Sequence, residues 1–129
     1  MKLQNPIKEL KTPREVDLFL IEYPDCVIFK AGSCGVTDMA WMEVEPVFEA
    51  NPELAIGIIQ VVAWREASNY IEEFTKIMHQ SPQLILFKGK KAVKAWSHFQ
   101  IHRDSLTEML KKSKLLRNGP TVLNDGIDQ

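Results

Sequence analysis

Cysteine is scarce in this chain: two among 129 residues, Cys26 and Cys34. That is too few for a disulfide framework, and in a reducing compartment a cysteine is more readily catalytic or simply buried than bridged. No apolar run approaches the ~20 residues of a membrane span. The first segment mixes Lys8, Glu9, Lys11, Arg14, Glu15 and Asp17 among its apolar residues, unlike a secretory signal, so the cytoplasm is the expected compartment. Neither sign of charge dominates. Sixteen Lys and Arg against 17 Asp and Glu leave a formal net charge of -1, and without a long basic run this argues against a nucleic-acid-binding surface. Three histidines and two cysteines without close metal-ligand spacing point to no metal. Internal repeats and low-complexity segments are absent too.

What remains is a composition 45% hydrophobic and 26% charged, enough for one domain with its own core. Residues 1–114 are expected to form it. The stretch 115–129, with Asn118-Gly119-Pro120 and Asn124-Asp125-Gly126, is expected to be a flexible tail.

The elements alternate. Ile7 to Leu10 reads as a short strand, and Thr12-Pro13-Arg14-Glu15 as a helix start with a capping box, followed by Val16, Phe19, Leu20 and Tyr23 on one face. Cys26 to Phe29 is a buried strand rich in β-branched and aromatic residues. A helix follows through Ala40, Val44, Val47 and Phe48, with a kink or an early stop expected at Pro46. Leu54 to Val62 reads as a second buried strand, and the run through Tyr70, Ile71, Phe74, Ile77 and Met78 as a third helix. Leu84 to Phe87 and Ala92 to Trp96 are separated by only Lys88-Gly89-Lys90-Lys91, too short for a crossover, so they form a hairpin. Leu106, Met109 and Leu110 face inward from a last helix. The expected class is α/β, in the order βαβαβα-ββα, with a mixed central sheet covered by helices on both faces.

Within this order the chemistry gathers at Phe29 to Thr37, FKAGSCGVT, where a strand breaks at Ala31-Gly32 and Cys34 opens a helix. Unpaired N–H groups and the helix dipole favour a thiolate there. Cysteines so placed titrate at roughly 3.5–7.5, against ~8.5 for a free thiol. Thr37, one turn on, can donate its hydroxyl to the sulfur, which makes Cys-Gly-Val-Thr a Cys-x-x-Cys with a hydroxyl for its second thiol. On these nine residues alone, a small packed cysteine at a tight turn fits as well. Asp38, close behind, opposes a very acidic thiol. Cys26 reads as a packed strand residue, Trp41, Trp64 and Trp96 as core or groove edge, and His79 and His102 as capping or solvent groups.

The element order, with a cysteine after the second strand and Ser81-Pro82 just before the fourth, is similar to that of thioredoxin, whose relatives carry a cis-proline beside the active cysteine. From His79 to Leu106 the sequence HQSPQLILFKGKKAVKAWSHFQIHRDSL resembles the monothiol bacilliredoxins, in His79, Ser81-Pro82-Gln83 and Ser97-His98-Phe99. The resemblance extends in element order over roughly Pro6 to Lys112. It implies a thioredoxin-like fold and a thiol–disulfide role for Cys34 with Thr37. It further implies a substrate groove at Gly35, Ser81, Pro82 and His98, bacillithiol or another small thiol as co-substrate, and no tightly bound cofactor. Protein thiols or their mixed disulfides would be the partners. These proteins usually carry Cys-Pro-x-Ser; here glycine replaces the proline and threonine the serine. For His98, a structural role and a hydrogen bond to the carboxylate of a bound thiol both fit. Two classes of function are compatible with these residues: an oxidoreductase, and a non-catalytic thioredoxin-like module that binds a partner through the same surface.

Overall fold

The computed structural model describes residues 3–113. The proposed tail, 115–129, lies outside them. The elements are β1 (Ile7–Glu9), α1 (Pro13–Glu22), β2 (Cys26–Ala31), α2 (Gly35–Ala50), β3 (Ala55–Gln60), α3 (Arg65–Thr75), β4 (Gln83–Lys88), β5 (Lys91–Ser97) and α4 (Arg103–Lys112), with a 3-10 turn at His98–Gln100. They pair into one five-stranded sheet in the order β1-β3-β2-β4-β5. β1 and β2 run parallel to β3, while β4 runs antiparallel to both β2 and β5. This is a thioredoxin-like fold with a mixed sheet, in the order read from the sequence.

β2 is central and buried along its whole length, so its alternating side chains build both halves of the core. Val27, Phe29 and Ala31 meet Ala40, Val44, Val47 and Phe48 of α2 and Leu106 and Leu110 of α4. Cys26 and Ile28 meet Val16, Phe19 and Leu20 of α1 and Ala67 and Ile71 of α3 on the other face. Burial of this kind contributes about 1.5–3 kcal/mol per large aliphatic or aromatic side chain. Its consequence for the site is a rigid strand end, from which the chain turns at Gly32 and Ser33 into α2.

Several boundaries differ from those the sequence predicts. At the start of α1 the Thr12 hydroxyl accepts from Glu15 N, but the Glu15 carboxylate accepts from Lys11 N at 2.7 Å, one residue before the cap. α2 runs through Pro46 to Ala50 instead of stopping early. Pro46 is exposed, and the packing of Val47 and Phe48 beyond it holds the last turn. β3 ends at Gln60, because Trp64 N turns back onto the Gln60 carbonyl at 2.8 Å, and Val62 points outward. α3 ends at Thr75 with Lys76 left-handed (φ 65°), so Ile77 and Met78 lie beyond the helix. The hairpin turn is tighter than expected, with only Gly89 and Lys90 between the strands, both at positive φ (59° and 70°). Those angles match the primed turns whose twist suits paired strands. Met109 is only partly buried, beside Leu106 and Leu110.

Among the described residues no helix is long and apolar enough to cross a membrane.

Candidate active site

Cys34 is the N-cap of α2, in extended conformation (φ -103°, ψ 167°) and exposed. Its thiol is held below the usual value first by the N–H of Thr37 and then by the N–H of Val36; burial opposes them, and the Thr37 hydroxyl and the Cys34 N–H add smaller contributions in the same direction as the first two. These are the unpaired donors of a helix start. The sulfur forms no full capping hydrogen bond, and the Thr37 N–H also reaches the Cys34 carbonyl at 3.0 Å, so the donors are shared and open to a charged sulfur. Asp38 is exposed and is not among the groups that move the thiol.

Thr37 is buried, and its Oγ1 accepts from Gly32 N at 3.0 Å. Its own proton is thereby left for the sulfur. One hydroxyl thus closes the loop between β2 and α2 and supplies a donor to Cys34. The sequence signalled the second role and missed the first. Gly32 has a further reason to be glycine. A Cβ there would come within 3.1 Å of Ser81 Oγ and 3.4 Å of Thr37 Oγ1, so a side chain would press on Ser81 where the cysteine loop meets the segment before β4.

Ser81 therefore lies against the cysteine loop. The Ser81–Pro82 peptide bond is cis, and the buried Pro82 offers its carbonyl to the His98 N–H at 3.0 Å. His98 follows β5 in the 3-10 turn, at positive φ (52°), and is exposed. What ties it to the site is its backbone. Ser97 fixes the turn, its N–H donating to Gln100 Oε1 at 3.0 Å. Gln80, Ser97, His98, Phe99 and Gln100 line an open groove of about 580 Å³, into which Phe99 presents an exposed ring. On another side of the cysteine helix Phe29, Ala31, Thr37, Asp38 and Trp41 line part of a second groove of about 490 Å³. Trp41 is half-buried there, edge-on to Phe29 and Phe48 at 5.4 and 5.7 Å.

Gly35 behaves differently from Gly32, since a Cβ there meets nothing within 4 Å. It occupies the first helical position, where proline suits the backbone and the missing N–H removes no helix bond. Gly35→Pro is accordingly expected to raise stability by about 0.4–1 kcal/mol through the unfolded chain. Urea unfolding of the two proteins, read as a shift in midpoint at equal slope, measures it.

Cys26 is fully buried at the far end of β2, and burial, with a smaller contribution from Asp25, pushes its thiol up. Both cysteines are free. His102 caps α4, its Nδ1 accepting from Asp104 N at 3.2 Å. His79 reaches Ser68 Oγ at 3.3 Å. Among the described residues no group of His, Cys, Asp or Glu is arranged to hold a metal.

A profile of the family described as monothiol bacilliredoxin BrxC matches residues 8–106. Among solved structures, a protein described by its thioredoxin fold superposes with a TM-score of 0.73 at 21% identity, over 79% of this chain and 91% of its own. The reduced thioredoxin pre-protein of Schistosoma mansoni gives 0.66 at 15% identity, over 84% and 98%. Fasciola hepatica thioredoxin gives 0.64 at 18% identity, over 81% and 97%. At these identities the likeness establishes the fold. A search of curated protein sequences returned no match.

Proposed function

The chain belongs to the monothiol bacilliredoxin family, and from that premise we propose that this thioredoxin-like redox protein reduces mixed disulfides between protein cysteines and a small thiol such as bacillithiol. The observation that carries the reading is one exposed thiol at a helix N-terminus, with Thr37 where a dithiol protein would hold its second cysteine.

The exchange needs two steps. The Cys34 thiolate attacks the small-thiol sulfur of the mixed disulfide, forming a Cys34–small-thiol disulfide and releasing the protein cysteine as thiolate, which takes a proton from water. A second small-thiol thiolate then attacks the bound small-thiol sulfur, forming a symmetrical disulfide and returning Cys34 as thiolate. Electrons flow from the small thiol to the protein substrate, and Cys34 is unchanged at the end. Thr37 stabilises the sulfur as nucleophile and as leaving group. In this reading Gly35, Ser81 and Pro82 would line the approach, and the His98 imidazole would meet the carboxylate of a bound thiol. No tightly bound cofactor enters, and the cytoplasm supplies the reducing thiol.

The test is the identity of the reductant. With catalytic amounts of this protein, a substrate carrying a bacillithiol mixed disulfide should be turned over at a rate that rises with added bacillithiol and should stop after one equivalent with none. Equal rates with and without small thiol would contradict the reading.

A further inference from the structure

β2 carries one side chain that the exchange reaction leaves unexplained. Lys30 is 0% exposed, four residues before Cys34, and shares the strand parity of Cys26 and Ile28, so it enters the core on the α3 face. Its Nζ donates to the Ser68 carbonyl of α3 at 3.3 Å. Burial holds its pKa at about 8, with the Glu72 carboxylate pulling the other way. A buried lysine below that pH costs stability, because the unfolded chain would carry the same proton in water.

Its surroundings form a polar cluster within an otherwise apolar half of the core. Directly opposite Lys30 in the β2–β4 ladder stands Gln83, 2% exposed, so both side chains leave the same face of the sheet. Gln83 Nε2 donates to the Met78 carbonyl at 3.1 Å, while its Oε1 is buried without a partner. Ser68 Oγ meets His79 Nδ1, and Glu72 accepts from the His79 N–H at 3.3 Å. Partial desolvation of the His79 ring, and after it the charge of Lys30, bias His79 towards the neutral form; Glu72 opposes and Arg65 adds a smaller push.

The cluster holds one stretch of chain. Ile77 N bonds Thr75 Oγ1 at 3.1 Å, Met78 O bonds Gln83, and His79 bonds both Glu72 and Ser68. Every one of these bonds runs through a side chain, and none is a rung of helix or sheet. The same stretch ends in Ser81, which lies against the Gly32 loop, and in Pro82, which holds His98.

We propose that Lys30 is a positioning residue for thiol–disulfide exchange: together with Gln83, Ser68 and His79 it fixes segment 77–82, and so the placement of Ser81 against the Gly32 loop that leads into Cys34. The proposal rests on the exchange reading above. Lys30 ties β2 to α3 at Ser68, and Ser68 and Glu72 in turn hold His79. Lys30 and Gln83 stand opposite each other across the β2–β4 ladder, and through the Ser68 and Met78 carbonyls they tie this end of the sheet to α3 and to the segment before β4. A positively charged Lys30 also favours the neutral His79 whose Nδ1 faces Ser68. The group acts through these neighbours; it is not among those that shift Cys34.

Lys30→Met separates this role from a packing role, because it keeps the stem and removes the amine. At pH 7 the variant should melt at the same or a higher temperature, since an unfavourable buried charge has gone. Its kcat/KM for a mixed disulfide should nonetheless fall about tenfold, in keeping with the cost of small misplacements at reacting centres. The pH titration of Cys34, read as thiolate absorbance at 240 nm, should be unchanged. The amides of Ile77 and His79 should exchange faster with deuterium. His79→Phe, which removes the ring nitrogen facing Ser68, should reproduce the faster exchange and part of the kinetic loss. An unaltered kcat/KM, or a loss that merely tracks a lower melting temperature, would overturn the proposal. Should the wild-type protein reduce no mixed disulfide, the exchange reading falls; protection of Ile77 and His79 then decides the positioning claim alone, and unaltered protection in both variants refutes it.

Discussion

Cys34→Ser should abolish reduction of a mixed disulfide, whereas loss of Cys26 should leave the rate nearly unchanged. A serine hydroxyl is scarcely ionised near neutral pH, and an alkoxide is a far poorer leaving group than the thiolate, so both halves of the exchange fail. Cys26 differs from Cys34 in every respect that matters for reactivity. Its thiol is fully buried and pushed up by that burial, so it stays protonated. β2 continues from Cys26 to Ala31, which separates the two sites by about 16 Å along the strand alone. A disulfide needs Cα atoms within roughly 7 Å, so a bridge between them would require the central strand to leave the sheet. Cys26→Ala is the better control. Serine at that site would bury a hydroxyl and cost about 1–3 kcal/mol if it found no partner. Rates with a model mixed disulfide and a fixed concentration of small thiol decide the matter. An inactive but stably folded Cys26→Ala protein would contradict the assignment.

Thr37→Val should have the next largest effect, on two quantities at once. Valine keeps the shape of the side chain but removes the oxygen that accepts from Gly32 N and the proton available to the sulfur. The first loss leaves a part-buried N–H unpaired and should lower stability by about 1–3 kcal/mol. The second raises the Cys34 pKa, since one of the groups that lower it is gone. The sign of the pH dependence follows. A depressed thiol pKa helps most where a free thiol would be protonated, so alkylation by iodoacetamide should slow most below neutral pH. The variant and wild type should converge above ~8.5, the pKa of an unperturbed thiol. Thr37→Ser, which keeps the hydroxyl, should recover most of both losses. Identical alkylation profiles for Thr37→Val and wild type would show that the hydroxyl does not act on the sulfur.

The sequence exposed those parts of the site that depend on local rules. Cys34 follows a strand and opens a helix, and the N–H groups of that helix start act on its sulfur as the position demands. Strand and helix order was equally legible, because β2, β3 and β4 each contain an apolar run and α1, α2 and α4 bury periodic faces. What escaped depends on contacts far apart in the chain. Lys30 follows the apolar run Cys26 to Phe29 and was given no role of its own; its partners Ser68 and Gln83 come from α3 and β4. The parity it shares with Cys26 and Ile28 was the available signal. Gly32 was legible as a break but not as the point where Ser81 crosses. His98 was placed near the site, whereas its left-handed backbone and its bond to the Pro82 carbonyl follow from the meeting of β4 and β5. Met78 illustrates the reverse error: it continues the helical period of α3, yet Thr75 and the left-handed Lys76 end the helix before it.

The central claim is that one thiol, Cys34, carries the exchange and that a second small molecule completes it. Its most direct test is the mass of the protein trapped by acid during a single turnover with a bacillithiol mixed disulfide and no free thiol. The account predicts a protein heavier by one small thiol, with the adduct on the peptide containing Cys34 and Cys26 still reduced. A protein of unmodified mass less two hydrogens, carrying a Cys26–Cys34 bridge, would contradict it.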